Sequence, residues 1–249
     1  NECDVGFAEC VQYLAEDDET KVILGYMEGC RDPERLYEAL ALAHAKQKPV
    51  IIMKVGGSDV GAAAAASHTA SLAGSDDAFD SIFDKFGVYR AKTLREAIDI
   101  AYACSFGVFP KTDRLGIVTI SGGAGVVMAD AASEFDLTLA PMPAKVQKEL
   151  KELIPFAGTR NPVDTTANFY NDWGILTKFF EAMMEKGNYD AIASFFTYFA
   201  QSDTLSEKLM EAIRPIRNIY PDRLMALSIF GTRENIAKLE KEGIPVFED

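Results

Sequence analysis

Five apolar runs of strand length decide most of what this chain can become. They are KVILGYM (21–27), PVIIMK (49–54), RLGIVTI (114–120), DAIASFF (190–196) and RLMALSI (223–229). None alternates cleanly between polar and apolar residues, so each strand is destined for burial on both faces. Between them lie stretches with helical spacing. Phe7, Cys10, Val11 and Leu14 mark one face of a helix over 5–17. Asp32 followed by Pro33 opens the next helix as a cap and a first-turn proline. Thr93 with Glu96 three residues on spells a capping box. Further helices are expected over 76–86, 93–106, 143–152, 173–186, 202–219 and 232–242, with short strands at 87–90 and 245–247. Apolar strands alternating with amphipathic helices make parallel sheets covered on both sides. We expect an α/β chain of two doubly wound, mainly parallel domains, 1–110 and 111–249, joined by a linker over 107–113. The first domain opens on a helix and offers only about three strands where a doubly wound sheet has about five. Its own first strand and helix are therefore expected upstream of Asn1.

The net charge is −13, and both halves of the chain are acidic. Such a surface repels a polyphosphate backbone, which argues against nucleic-acid binding. A single small phosphate held by backbone amides is still allowed. No apolar run approaches the roughly 18–20 residues of a membrane span, and no basic segment leads into an apolar one as in a secretory signal. The four cysteines, Cys3, Cys10, Cys30 and Cys104, form no CxxC pair, and only two histidines are present. We expect free thiols in a reducing cytoplasm and no metal site, zinc included.

Ligands of parallel sheets collect at the carboxyl ends of strands, and two glycine-rich loops follow strands here. The first runs from Gly56 through Gly61 and Ala62–Ala66 to Ser67-His68-Thr69-Ala70-Ser71-Leu72-Ala73-Gly74-Ser75-Asp76. Its glycines alone mean little. His68, however, sits among small residues that leave an imidazole reachable, and Ser67, Thr69 and Ser71 can donate hydrogen bonds to an oxyanion. His44, in an Ala- and Leu-rich helix ending at Lys46-Gln47-Lys48, reads as a plain surface residue near a helix C-terminus. The second loop is Ser121-Gly122-Gly123-Ala124-Gly125. Amides at a helix N-terminus can converge on an anion there, where the helix adds about half a positive charge. The loop is neither GxGxxG nor a P-loop, nor a nucleophile elbow, and tight strand-to-helix packing accounts for its glycines equally well. Glu28 ends the first strand; it can orient an imidazole or be an ordinary solvated acid. Asn161-Pro162-Val163-Asp164 marks an extended turn.

Lys48-Pro49-Val50 into Lys54, the stretch Gly61 to Ala66, Ser67-His68-Thr69 with Leu72-Ala73-Gly74-Ser75, then Ser121–Gly125 and Asn161-Pro162-Val163-Asp164 occur in this order. Together they resemble the NDP-forming acyl-CoA synthetases, relatives of succinyl-CoA synthetase, over essentially the whole chain. The resemblance implies two flavodoxin-like CoA-ligase domains, the first bearing a phosphohistidine. It implies reversible conversion of acyl-CoA, phosphate and ADP into carboxylic acid, CoA and ATP. The acyl group would pass to phosphate, the acyl phosphate would phosphorylate a histidine on a mobile loop, and that histidine would hand the group to ADP. By this resemblance His68 is the histidine and Glu28 the carboxylate that orients it. Ser121, Gly122, Gly123, Ala124 and Gly125 form one of two helix N-termini holding phosphate, and Ser67, Thr69, Asn161 and Asp164 support the loops.

The implied ligands are CoA, phosphate and ATP or ADP, with Mg2+ accompanying the nucleotide on an ATP-grasp domain. That domain and a CoA-binding Rossmann domain are the implied partners and are not found in this sequence, so the chain alone is expected not to complete the reaction. A small carboxylic acid as substrate, a homo-oligomeric assembly and a cytoplasmic location complete the expectation. The chemistry suits the residues. A neutral imidazole nitrogen accepts a phosphoryl group and passes it on, and phosphoryl transfer needs mainly positioning and charge stabilisation. Two rivals stand beside this one. Acyl-CoA-sensing domains of an acetyltransferase-type relative would have no use for the histidine kept here. A two-lobed binding module of periplasmic-receptor shape would seat its ligand far from His68.

Overall fold

The apolar runs of the sequence become two parallel sheets. The computed structural model describes residues 4–58, 60–61 and 76–248, and the chain divides into two units, Asn1–Gly107 and Val108–Asp249. In the first, β1 (Ile23–Met27), β2 (Val50–Lys54) and β3 (Tyr89–Arg90) lie side by side in chain order, all parallel. Among the described residues the helices α1 (Phe7–Glu16), α2 (Pro33–Ala45), α3 (Asp76–Phe86) and α4 (Leu94–Ser105) flank them. One face of the sheet buries Ile23, Met27, Val50 and Ile52 with Val11, Leu36, Leu40 and Phe83. The other sets Ile51 against Ala91 and Ala97. Gly25 has no side chain because a Cβ there would stand 2.7 Å from the Phe7 ring. The start of α2 follows its sequence: Asp32 accepts from the Arg35 amide at 3.0 Å, and Pro33 occupies the first turn. Thr93 likewise caps α4, accepting from the Glu96 amide at 3.1 Å. His44 is exposed near the end of α2.

The second unit holds β4 (Leu115–Thr119), β5 (Val163–Asp164), β6 (Ala191–Phe195), β7 (Leu224–Ser228) and β8 (Val246–Phe247), in spatial order β5-β4-β6-β7-β8 and all parallel. Counted within the unit this is the order 2-1-3-4-5 of flavodoxin-like sheets, whose switch point lies between the first and third strands; here those are β4 and β6. The helices are α5 (Gly122–Glu134), α6 (Ala144–Leu153), α7 (Trp173–Ala182), α8 (Asp203–Ile219) and α9 (Arg233–Lys241). Phe179, Phe180, Ile192, Phe196, Ile213 and Leu227 fill the core. Trp173 stands edge-on to Phe169 and Tyr170, with ring centroids 5.2 and 5.7 Å away.

One expected helix differs in detail. The segment 173–186 is α-helical only to Ala182 and then widens into a π-helical turn, Met183–Gly187, closed by left-handed Asn188. The wider turn puts the consecutive residues Met183 and Met184 both fully into the core. It also brings Gly187 so close to Tyr189 that a Cβ would lie 2.3 Å from the ring. Among the described residues no helix is long and apolar enough to cross a membrane.

Candidate functional site

The chain leaves β4 at Thr119, whose hydroxyl donates to the carbonyl of Ser121 at 2.8 Å and helps turn the backbone into α5. Ser121 is the N-cap, in extended conformation, with no side-chain cap bond. The first intrahelical bond runs from Gly125 N to Ser121 O at 3.1 Å. The amides of Gly122, Gly123 and Ala124 therefore have no partner within the helix. Ser121, Gly122 and Gly123 are exposed, and the first turn carries no acidic residue of its own. The helix N-terminus adds partial positive charge, so the site favours a small anion.

Gly122 and Gly125 are crowded by different neighbours. Gly125 is buried, and a Cβ there would lie 3.2 Å from Pro162 Cβ and 3.5 Å from Thr119 Oγ1. Gly122 faces the carboxylate of Asp164, with Oδ2 only 3.2 Å from where its Cβ would stand. Asp164 closes β5, and its Oδ1 accepts from the Thr166 amide at 2.8 Å. Between α5 and the β5 end lies a cleft of about 240 Å³ bordered by Thr119, Gly122, Gly125, Val126, Pro162 and Asp164.

Asn161 is spent on the scaffold around this cleft. Its Oδ1 accepts from Ile117 N at 3.0 Å, and its Nδ2 donates to Leu115 O at 3.0 Å and to Ala140 O at 3.1 Å. β5 pairs with β4 only at Val118 and Thr119, so the carboxamide continues the ladder where the short strand has run out. Ser121–Gly125 and Asp164 are thus brought together at the carboxyl ends of β4 and β5, whereas Asn161 sits at the amino end of β5, beside the first half of β4.

Glu28 belongs to the first unit, directly after β1 and partly buried. Ser67, His68 and Thr69 lie outside the described residues. Next to that segment the structure reveals a charge cluster that sequence analysis passed over. Lys54, the last residue of β2, has a fully buried side chain 3.8 Å from Asp76 Oδ1. Arg90 of β3 holds Asp76 Oδ2 at 2.7 Å and Asp80 at 2.5 Å. Burial pushes the Lys54 ammonium below its ordinary range, and Asp76 opposes that shift. The available signal is a lysine closing a wholly apolar strand, one residue ahead of the glycine pair Gly56-Gly57.

Comparison with known proteins bears on this geometry. Residues 1–104 match the family described as the succinyl-CoA ligase like flavodoxin domain, and residues 115–172 match the ligase-CoA domain. The chain is 36% identical, over its whole length and 54% of the relative's, to the α subunit of the ADP-forming acetate–CoA ligase II of Pyrococcus furiosus. The chain belongs to the NDP-forming acyl-CoA synthetase family. Another member, the α subunit of the ADP-forming acetate–CoA ligase I of the same organism, is 42% identical over 67% of this chain and 36% of its own length. Among solved structures of the family, the dinucleotide-forming acetyl-coenzyme A synthetase 1 of Ca. Korarchaeum cryptofilum, in complex with phosphate and ADP, superposes with a TM-score of 0.80. That match has 26% identity and covers 98% of this chain and 53% of that one. The chain thus spans about half the length, or less, of the relatives it matches.

Proposed function

We propose that this chain supplies the two CoA-ligase domains, 1–110 and 111–249, of an NDP-forming acyl-CoA synthetase, and that His68 carries the phosphoryl group. The observation that carries this reading is the uncapped, exposed N-terminus of α5, placed beside the switch point in a chain aligned end to end with an acetate–CoA ligase α subunit. In the first step the acyl group of acyl-CoA passes to phosphate, releasing CoA. Amides of Gly122, Gly123 and Ala124 hold the phosphate oxygens with no need for a metal at that point. In the second step a neutral His68 nitrogen attacks phosphorus, the P–O bond to the acyl group breaks, the carboxylate leaves, and Glu28 stabilises the charged imidazole. In the third step phospho-His68 gives its phosphoryl group to ADP.

CoA and the nucleotide with its Mg2+ bind on a Rossmann and an ATP-grasp domain that act with this chain, which alone does not turn over. The setting is the cytoplasm, the acid is small, and Ser67, Thr69, Asn161 and Asp164 support the two loops. Intact-mass spectrometry after exposure to ATP tests the assignment, using the chain together with its CoA- and nucleotide-binding domains. The wild type should gain an acid-labile phosphoryl group that His68→Asn lacks. A phosphoryl group on both would move the role to another residue. None on the wild type would favour acyl-CoA-sensing domains instead.

A further inference from the structure

A lysine is almost never fully buried unless it is paired, and leaving water is costly for an ammonium. Among the described residues Lys54 has little to offset that cost. Its Nζ donates to one carbonyl, Val55 O, at 2.7 Å. The face of Phe79 lies 4.9 Å away, and Asp76 Oδ1 stands at 3.8 Å, beyond hydrogen-bond reach. That oxygen is itself buried, and among the described residues no donor reaches it. A methionine of similar length would fill the same slot without the desolvation cost. The charge is better explained by its effect on Asp76.

Asp76 is where two parts of the chain meet. It opens α3, where a carboxylate is favoured by the helix N-terminus. Its Oδ2 is held by Arg90 of β3 and would stand 2.6 Å from a Cβ on Gly57. Lys54 and Gly57 precede the stretch containing Ser67-His68-Thr69, and Asp76 follows it. The two ends of that stretch are therefore in contact, with the buried ammonium on one side of Asp76 and the guanidinium on the other.

We propose that Lys54, acting through Asp76 and Arg90, is a positioning residue that fixes the two ends of the segment bearing His68 and so sets the geometry of phosphoryl transfer to that imidazole. The inference rests on the role proposed for His68. It needs no contact between Lys54 and the transferred group. Reaction rates depend steeply on such placement, and a displacement of about 1 Å can cost on the order of 100-fold.

The test uses the chain with its CoA- and nucleotide-binding domains and measures phospho-His68 formation from ATP by quenched-flow mass spectrometry. Lys54→Met should melt at or above the wild-type temperature and keep its KM for ADP and acyl-CoA, while phosphorylation slows about tenfold or more. Asp76→Asn, which keeps the shape and removes the charge, should slow it likewise. Wild-type rates in both variants would overturn the proposal, as would a lowered melting temperature with an unchanged rate, or a slowing that resides in KM. Should Lys54→Met fold poorly, Asp76→Asn decides alone. A wild type that takes no phosphoryl group on His68 removes the proposed function and this inference together. A phosphorylated wild type with unaffected variants removes only the inference.

Discussion

Replacing Asn161 by alanine should cost the second unit far more stability than an ordinary loop substitution. The carboxamide makes three hydrogen bonds to backbone groups of Leu115, Ile117 and Ala140, and the residue is 7% exposed. Each such bond is worth about 1 kcal/mol net, and a buried amide left without a partner costs about 1–3 kcal/mol. Some of the freed carbonyls will find water, so the expected loss is about 3–4 kcal/mol. With a urea dependence of about 2 kcal/mol per molar, the unfolding midpoint falls by roughly 1.5–2 M. Urea titration followed by circular dichroism gives the midpoint, and hydrogen exchange of the Ile117 amide gives the local effect. Exchange there should speed up more than at Val118, whose amide faces the other neighbour, β6, opposite Ser194. Asn161→Asp keeps an acceptor for Ile117 but aims an oxygen at two carbonyls, so it should lose at least as much at neutral pH. A loss under about 1 kcal/mol for the alanine variant, within the range of an inconsequential surface change, would refute the view that this side chain completes the sheet.

Two further outcomes follow from groups near the ends of the strands. Removing the charge next to Gly122 with Asp164→Asn should tighten phosphate binding by the α5 N-terminus about two- to fivefold, the scale of one charge at a helix end. Calorimetric titration with inorganic phosphate measures it, and weaker or unchanged binding would count against an anion site at that position. Elsewhere, Tyr89 donates to Glu96 at 2.6 Å, and that bond, with burial and the carboxylate charge, pushes the phenol from 10.0 up to about 12. The folded state thus holds this proton more tightly than the unfolded state. The associated stability is complete below about pH 10 and is lost as pH rises towards about 12. Tyrosinate absorbance of wild type minus Glu96→Gln should show one phenol titrating later in the wild type; superimposable curves would contradict it.

Much of the architecture was legible because strands buried on both faces must be apolar throughout, although β1 departs from that expectation and leaves Leu24 and Tyr26 exposed. The caps at Asp32 and Thr93 were legible because a short polar side chain at a helix start has one main stereochemical use. Strand order was not, since nothing in RLGIVTI or RLMALSI says which neighbour it takes. Ser121–Gly125 stood out as a strand-to-helix junction, yet the closeness of Asp164 to Gly122 arises only when β5 pairs with β4. Asn161 read as a turn residue before proline, because its partners lie 21 to 46 positions away along the chain. Lys54 reads in sequence as the end of a motif, but a lysine at a strand end ordinarily reaches solvent, and only packing against Phe79 and Asp76 reveals its burial. The π-helical turn at Met183–Gly187 escaped notice because its residues are ordinary helix formers up to the glycine.

Trp173 is the chain's single tryptophan. It stands among Phe169, Tyr170 and Phe199, with Lys208 Nζ 5.9 Å from its ring. All of these belong to the second unit, so indole emission is a one-sided optical label: the first unit is dark. Its environment is set by the segments that follow β5 and β6, on the same edge of the sheet as the α5 N-terminus. A change in colour or intensity therefore registers events at that edge, and its midpoint, set against the loss of total helix, tells whether the two halves let go together or in turn.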